Sequence, residues 1–288
     1  MPTETPPGAS LRRYLGLTET GALFIDPVAT ESVAIATTTQ IRLNPGVKDY
    51  RVPVIRQDAS ASWTAEGAEI TQSSVLADEV AVNFAKVAGL VPLTNEAAKD
   101  TSPAAAEAAG ASLARDTARV IDRAFFGDTR PTNAPTGLGT LAGIQTVNAK
   151  PNGSAGLDPF IEAQGLVASA GGTVTAFVMN PTDVVALRKT KAFAATASNV
   201  PLLGPDIAQP LGTVLFGVQA IVSADVPAGT AYAYDGTRIQ SVIRDDVEIA
   251  IDSSRYFELD SIAVRSTMRL GWAFLQPAAI VRIKAATA

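Results

Sequence analysis

Residues 58–74 read DASASWTAEGAEITQSS, and they contrast with the apolar segments on either side of them. Small and polar residues around a central Gly67 predict a long two-stranded hairpin with its turn near Glu66 and Gly67. Trp63 is a large aromatic residue in a stretch without apolar periodicity. A single exposed aromatic residue often has no role, but tryptophan is enriched where one protein docks on another. We therefore favour an interface role for Trp63.

The segments that flank the hairpin stretch have the pattern of strands. Residues 52–55 are apolar and extended in character. On the return limb, Val80, Val82 and Phe84 fall on one face and polar residues fall between them, which predicts a half-buried strand.

Residues 1–50 show no sustained period, because short apolar groups alternate with Thr-rich polar runs. We interpret them as an N-terminal arm that either drapes over its own body or lies on a neighbouring molecule. They lack the apolar core of a signal peptide, and no later stretch has the apolar length that a membrane span requires.

The longest helix is predicted after Ser102 and Pro103, which supply an N-cap and a proline at the first helical position. A short helical turn at 94–100 precedes it, and the helix ends near Phe126 and Gly127. The predicted buried face consists of Ala109, Leu113, Val120 and Ala124. The predicted polar face consists of Arg115, Arg119, Asp122 and Arg123.

The second half of the chain alternates helices and strands. Residues 128–156, rich in Pro, Gly and Asn, predict a connecting region. Helices are predicted at 159–170 and 181–191, around a buried strand at 173–179. Further strands are predicted at 214–222, 231–234, 239–243, 247–251, 261–270 and 278–283.

The composition of the chain excludes several classes of function. The 288 residues are 47% hydrophobic and 18% charged, as in an ordered chain with a substantial core. A formal net charge of -5 argues against nucleic-acid readout. The chain has no His and no Cys, which excludes Ser-His-Asp and Cys-His nucleophiles, imidazole or thiolate zinc sites and disulfides.

Two charged clusters have simple explanations. Asp246, Glu248 and Asp252 alternate on a predicted strand and could face a divalent cation, but we favour a solvated or partner-facing surface. The basic run that begins at Arg188 and ends at Lys191 lies at a predicted helix C-terminus, where cations complement the helix dipole.

Two glycine-containing motifs are also weak signals. Gly137 and Gly139 lack the preceding strand and third glycine of a phosphate-binding fingerprint. The Asp-Gly-Thr sequence at 235–237 is better explained as a turn. We predict no catalytic residue, no metal site and no cofactor.

The order of motifs over residues 52–139 resembles that of the major capsid proteins of tailed phages, which have the HK97-type fold. The stretches that carry the resemblance are ASWTAEG at 61–67, VPLTNE at 91–96, DTS at 100–102, DRAFFG at 122–127, PTGL at 135–138 and WAF at 272–274.

The resemblance implies an α+β fold with an N-terminal arm, an extended β-hairpin loop, a peripheral domain with a long spine helix, and an axial domain. The expected boundaries are an arm at 1–50, a hairpin loop at 51–92, a peripheral domain at 93–150, an axial domain at 151–245, and C-terminal strands at 246–288 that complete the peripheral domain. Within the hairpin, we expect Trp63, Glu66, Gly67 and Glu69 to contact a neighbouring subunit, because unpaired backbone groups need covering.

The implied function is that of a major capsid protein of a tailed double-stranded DNA phage, which self-assembles into pentamers and hexamers of an icosahedral shell and is not an enzyme. Its expected partners are copies of itself, a portal, a separate scaffold or cement protein where these are used, and packaged DNA bound without sequence specificity. No membrane is involved. The expected location is the virion capsid, assembled in the host cytoplasm.

Some members of this family join subunits by an isopeptide bond between a hairpin lysine and a neighbour's asparagine. This chain has no lysine between Lys48 and Lys86 and no asparagine after Asn199, so we expect a non-covalent contact. Because the chain begins directly with the arm, we expect any scaffold to be a separate protein.

Two alternatives remain open at this point. An encapsulin-like compartment would have a related fold and enclose protein cargo in place of DNA. A carboxylate-dependent hydrolase would show turnover that a single Asp or Glu substitution abolishes, and the lack of His and Cys weighs against it.

Overall fold

The computed structural model describes residues 28, 31–44, 46–47, 49–67, 69, 72–94, 104–152, 156–191, 203 and 213–285. Three predictions fall largely or wholly outside the described residues. They are the arm over 1–27, most of the helical turn at 94–100, and the N-cap at Ser102 and Pro103.

The helices are α1 (Val33–Ala36), α2 (Ala104–Phe126), α3 (Asp158–Ser169) and α4 (Pro181–Lys189). The strands are β1 (Thr39–Arg42), β2 (Arg51–Gln57), β3 (Leu76–Ala81), β4 (Ala85–Thr94), β5 (Gln145–Val147), β6 (Ala176–Met179), β7 (Thr213–Leu215), β8 (Val218–Val222), β9 (Thr230–Tyr234), β10 (Ile239–Tyr256), β11 (Ser261–Phe274) and β12 (Ile280–Lys284).

The strands form three sheets. A four-stranded sheet has the order β1-β10-β11-β4, a six-stranded sheet has the order β5-β12-β9-β6-β8-β7, and β2 pairs with β3 alone. In the four-stranded sheet β1 is parallel to β10 and the other pairs are antiparallel. Gly89 on β4 allows α2 to approach closely, since a Cβ there would lie 2.5 Å from Leu113 Cδ1.

The long helix α2 ends at Phe126, as predicted, but its buried face differs from the predicted one. Leu113 and Ala124 are buried, whereas Val120 is 41% exposed. Asp122, which the sequence placed on the polar face, is 3% exposed. The helix is covered by chain segments on more than one side, so a single apolar stripe does not describe its contacts.

The end of α2 joins the two larger sheets. Phe125 lies 5.0 Å from Trp272 of β11, measured between ring centroids. The Tyr232 hydroxyl of β9 donates a 2.9 Å hydrogen bond to the Phe126 carbonyl. Gly137 fits against this end because a Cβ there would lie 2.1 Å from the Ala124 carbonyl oxygen. That close approach explains why residue 137 is a glycine, and a phosphate-binding role is not needed to account for it.

Three strand predictions in the second half were wrong in detail. Residues 214–222 form two strands, because Phe216 and Gly217 make a turn with φ of 52° and 80°. Residues 239–256 form one strand that carries β-bulges where two strands were predicted. The last strand, β12, pairs with β5 and β9 in the six-stranded sheet and not beside β10 and β11.

Candidate assembly surfaces

The N-terminal segment from Ser32 to Arg42 lies on the chain's own body. Ala34 and Ile35 of α1 are fully buried, and β1 extends the four-stranded sheet. Thr38 Oγ1 and Ser241 Oγ are 2.6 Å apart. Of the two positions proposed for the arm, this part therefore drapes over its own subunit.

Asp122 of α2 holds the start of α1. Its Oδ1 accepts hydrogen bonds from Ser32 Oγ at 2.7 Å and from the Ala34 amide at 2.9 Å, and its Oδ2 accepts from the Val33 amide at 2.9 Å. The two amides are among the unpaired backbone groups that every helix N-terminus carries. Burial raises the pKa of the Asp122 carboxyl, although the three hydrogen bonds oppose the rise. The carboxyl caps a helix and faces neither cavity nor solvent.

The root of the hairpin is a short antiparallel ladder between β2 and β3. Two ion pairs cross it, between Arg51 and Glu79 at 3.2 Å and between Arg56 and Asp78 at 3.1 Å. Gly271 of β11 lets the return limb cross the sheet, since a Cβ there would lie 2.5 Å from the Asn83 carbonyl oxygen. The direction in which the hairpin leaves the body is therefore fixed by the core.

Beyond this root the hairpin has no regular secondary structure among its described residues. The turn lies at Glu66 and Gly67, as predicted, and Gly67 has a φ of 80°. The predicted long ladder is confined to 51–57 and 76–81, because the intervening residues offer no apolar face to pack. The described residues 58–67, 69 and 72–79 are exposed, and Trp63 is fully so.

One face of the four-stranded sheet is buried. The other is covered near Val242 and Ala273 by a small apolar cluster and is open around Arg265 and Arg269. Met268, Leu270 and Trp272 point into the core, so the alternating positions of β11 point to the opposite face. We call that opposite face the open face; its cations are Lys86, Arg265 and Arg269, and its acids are Asp245, Glu248 and Asp252.

The charged motifs singled out in the sequence form no reaction centre. The described residues contain no group of three or more metal-ligating side chains, and Glu248 and Asp252 are exposed. The basic run closes α4, whose last turn contains Arg188 and Lys189. Asp235 caps a single helical turn, where its Oδ1 accepts from the Thr237 amide at 3.0 Å.

Among the described residues, no helix is long and apolar enough to cross a membrane.

Comparison with known structures first defines the class of fold. The chain matches the structure from Mycobacterium phage Bobi with a TM-score of 0.71 and 17% identity, over 89% of this chain and 91% of that one. The capsid of a native GTA (gene transfer agent) particle computed with C5 symmetry matches with a TM-score of 0.71 and 20% identity, over 90% and 91%. Microbacterium phage Oxtober96 gives a TM-score of 0.70 and 19% identity, over 88% and 91%. The α+β fold is of the HK97 type.

The family follows from the sequence itself. Residues 17–285 match the model of the phage capsid family, so this chain belongs to that family. No curated protein matches it significantly. Membership confirms the predicted class of a capsid-forming structural protein, and it favours this class over an encapsulin-like compartment.

Two features of these surfaces were missed at the sequence level. The Ser32–Asp122 clamp joins residues 90 positions apart, and the local pattern placed Asp122 in solvent. The open face brings Lys86 of β4 opposite Arg269 of β11, and only the strand register reveals that pair.

Proposed function

We propose that this chain is the major subunit of an icosahedral shell, assembled from pentamers and hexamers around double-stranded DNA of a tailed phage. Family membership over residues 17–285 supports the capsid role. The exposed hairpin supports the assembly role, because its described residues at 58–67, 69 and 72–75 are all exposed and so add nothing to the core of their own subunit.

Within this proposal the hairpin contacts a neighbouring copy through Trp63, Glu66, Gly67 and Glu69. A fully exposed tryptophan is a typical anchor once it is buried at an interface. Gly67 maintains the turn, since its φ of 80° disfavours any side chain while the space around it is empty. The absence of lysine between Lys48 and Lys86 supports a non-covalent contact.

The domain boundaries belong to the same proposal. The hairpin loop corresponds to 51–92, the peripheral domain to 93–150 with later strands, and the axial domain to 151–245. A portal, separate scaffold and cement proteins, and assembly in the host cytoplasm are further parts of the proposal.

Electron microscopy of the purified, expressed chain tests the shell, and nucleic-acid content tests what it encloses. Uniform closed particles are the expected result. Trp63→Ala and Glu66→Lys are expected to reduce particle yield while leaving the subunit folded. Glu162→Lys, an exposed change on α3, is the matched control. Particles from both hairpin variants that equal those of the control would refute the hairpin contact.

A further inference from the structure

Among the described strands, β4 is the last of the four-stranded sheet and pairs only with β11, so its other edge is free. Pro92 has no amide hydrogen, and the register with β11 continues unbroken past it, so Pro92 directs its backbone to the free edge. Because backbone direction alternates along a strand, Lys86, Ala88 and Leu90 direct their amides and carbonyls the same way. Within the described part of the chain, no main-chain hydrogen bond reaches these groups. The free edge therefore offers an unused row of donors and acceptors.

A groove runs beneath this edge, between β4 and α2. It includes a cavity of about 310 Å³, whose lining contains the apolar side chains of Val87, Leu113, Val120, Ile121, Leu270 and Trp272. A second cavity of about 350 Å³ shares Leu113 and Asp116 with the first and continues the groove past Arg115 and Arg119. Val120 is 41% exposed although it is apolar. The groove therefore has room for an apolar side chain from outside the subunit.

Trp272 gives the cavity an unused hydrogen-bond donor. The residue is 5% exposed and lines the cavity, and its buried Nε1 has no acceptor among the described residues. The indole nitrogen of a buried tryptophan usually finds an acceptor, and a buried donor without one is unfavourable. A partner that brings an oxygen atom into the cavity would remove this penalty.

The rim of the groove is basic. Arg115 and Arg119 are exposed one helical turn apart, or about 6 Å, and Lys86 lies on β4. Asp116 is the single acid among the described residues that line the two cavities. The ion pairs of the described residues include none of these three cations. The groove therefore attracts an acidic partner.

An extended peptide matches all of these features. It can pair its own backbone with the free edge over residues 86–90, a distance of about 13 Å. In an added strand, alternate side chains face the same side of the sheet. An apolar side chain that enters the cavity then has the residues two positions before and after it on the side of Arg115 and Arg119. The preferred segment is extended, with one apolar residue between acids at those two positions.

We infer that the free edge of β4 and the groove beneath it bind an extended acidic segment of another protein by strand addition, with an apolar side chain in the cavity. This inference goes beyond the proposed function and does not depend on it. A second copy of the chain is less suited through its own acidic hairpin. The two large apolar residues at 58–74, Trp63 and Ile70, have alanine or glutamine two positions away, and neither has an acid there.

The fluorescence of Trp272 tests the inference. The chain has two tryptophans, so Trp63→Phe leaves Trp272 as the only one. In this full-length background, the blocked peptide Ac-Glu-Thr-Leu-Thr-Glu-NH2 is expected to shift the Trp272 emission saturably. Alanine in place of its leucine is expected to weaken binding at least about tenfold, because three carbon atoms leave the cavity. Lysine in place of both glutamates is expected to weaken binding about threefold at low salt.

Two pairs of variants locate the bound peptide. Ala88→Pro removes an outward amide and is expected to weaken peptide binding at least about fivefold, the equivalent of one net hydrogen bond. Ala88→Val keeps the amide and is its matched control. Arg119→Glu is expected to weaken binding of the glutamate peptide and to strengthen binding of the lysine peptide. Lys150→Glu, an exposed change of the same charge, is expected to alter neither. The Arg119 pair covers the case in which Ala88→Pro does not fold.

Four results would overturn the inference. They are the absence of a saturable shift with any of the peptides, and binding by Ala88→Pro and Arg119→Glu that equals binding by their controls. N-acetyl-leucine amide that binds as tightly as the pentapeptide would assign the cavity to a small apolar molecule. Peptide binding that free subunits show and assembled wild-type particles lose would place a second copy in the groove. Each of these results leaves the capsid role intact, whereas a wild-type chain that forms no particles overturns the capsid role and leaves the peptide result standing.

Discussion

Asp122→Ala is expected to destabilise the subunit substantially, although Asp122 is far from the surfaces proposed for assembly. The substitution removes three hydrogen bonds at 2.7 to 2.9 Å from a side chain that is 3% exposed. It leaves two helix N-terminal amides and the Ser32 hydroxyl without their acceptor. A hydrogen bond to a charged group contributes about 1.5 to 3 kcal/mol, and the cost of burying the carboxylate offsets part of the sum. We expect a net loss of about 3 kcal/mol, or roughly 5 °C in melting temperature for a chain of this length.

The assay is thermal unfolding of Asp122→Ala, with Asp116→Ala as the matched control. Asp116 lies on the same helix and is exposed, so its change is expected to cost less than about 0.5 kcal/mol. Hydrogen exchange provides the local readout, because the amides of Val33 and Ala34 are expected to exchange faster when their acceptor is lost. If Asp122→Ala has the same melting temperature as Asp116→Ala and hydrogen exchange at α1 is unchanged, the hydrogen bonds of Asp122 contribute nothing to subunit stability and the reasoning fails.

Three further predictions follow from other parts of the chain. Deleting residues 1–42 removes the buried Ala34 and Ile35 together with β1 and is expected to cost about 4 kcal/mol or more of subunit stability in chemical denaturation. An unchanged stability would contradict the packing of this segment on its own subunit. Phe216→Asn is expected to raise subunit stability by about 1 kcal/mol in chemical denaturation, because asparagine tolerates the φ of 52° better than phenylalanine, and a less stable variant would contradict the strain argument. Burial opposes the ionisation of Asp235, but hydrogen bonds from Thr237 and the Thr173 amide keep its pKa below the ordinary value. The stabilisation from the ionised carboxylate is therefore present above the ordinary pKa and is lost as the pH falls through the lowered pKa of the folded state. The difference in stability between wild type and Asp235→Asn is expected to shrink from pH 5 to pH 3 in denaturation experiments, and a constant difference would contradict this prediction.

The sequence predicted those elements whose signals are local. The helix α4 begins where Asn180 and Pro181 predict it, with Asn180 accepting from the Thr182 amide at 3.0 Å. The hairpin turn, the end of α2 and the family itself were also predictable, because turn glycines, caps and short motifs are encoded within a few residues.

The errors have a common physical cause. Asp122 lies on the polar side of α2 by its periodicity, but a segment 90 residues earlier covers it. The position of β12 depends on partners at 145–147 and 230–234, which no window around 280 contains. Tertiary pairing also places Lys86 and Arg265, which lie 179 positions apart in sequence, on neighbouring strands of the open face.

The hairpin combines two kinds of constraint that a shell subunit needs. Its root is closely packed on the sheet, because a Cβ at Gly271 would lie 2.5 Å from the Asn83 carbonyl oxygen of the return limb. The described residues of its outer part are exposed, so these residues are not held by the core of their own subunit. In the proposed shell, the packed root would set the direction in which the hairpin reaches a neighbour, and a non-covalent contact of its exposed outer part would be reversible. Reversible contacts allow misplaced subunits to leave a growing shell, so a lysine-free acidic hairpin is physically suited to assembly that corrects its errors before the shell closes.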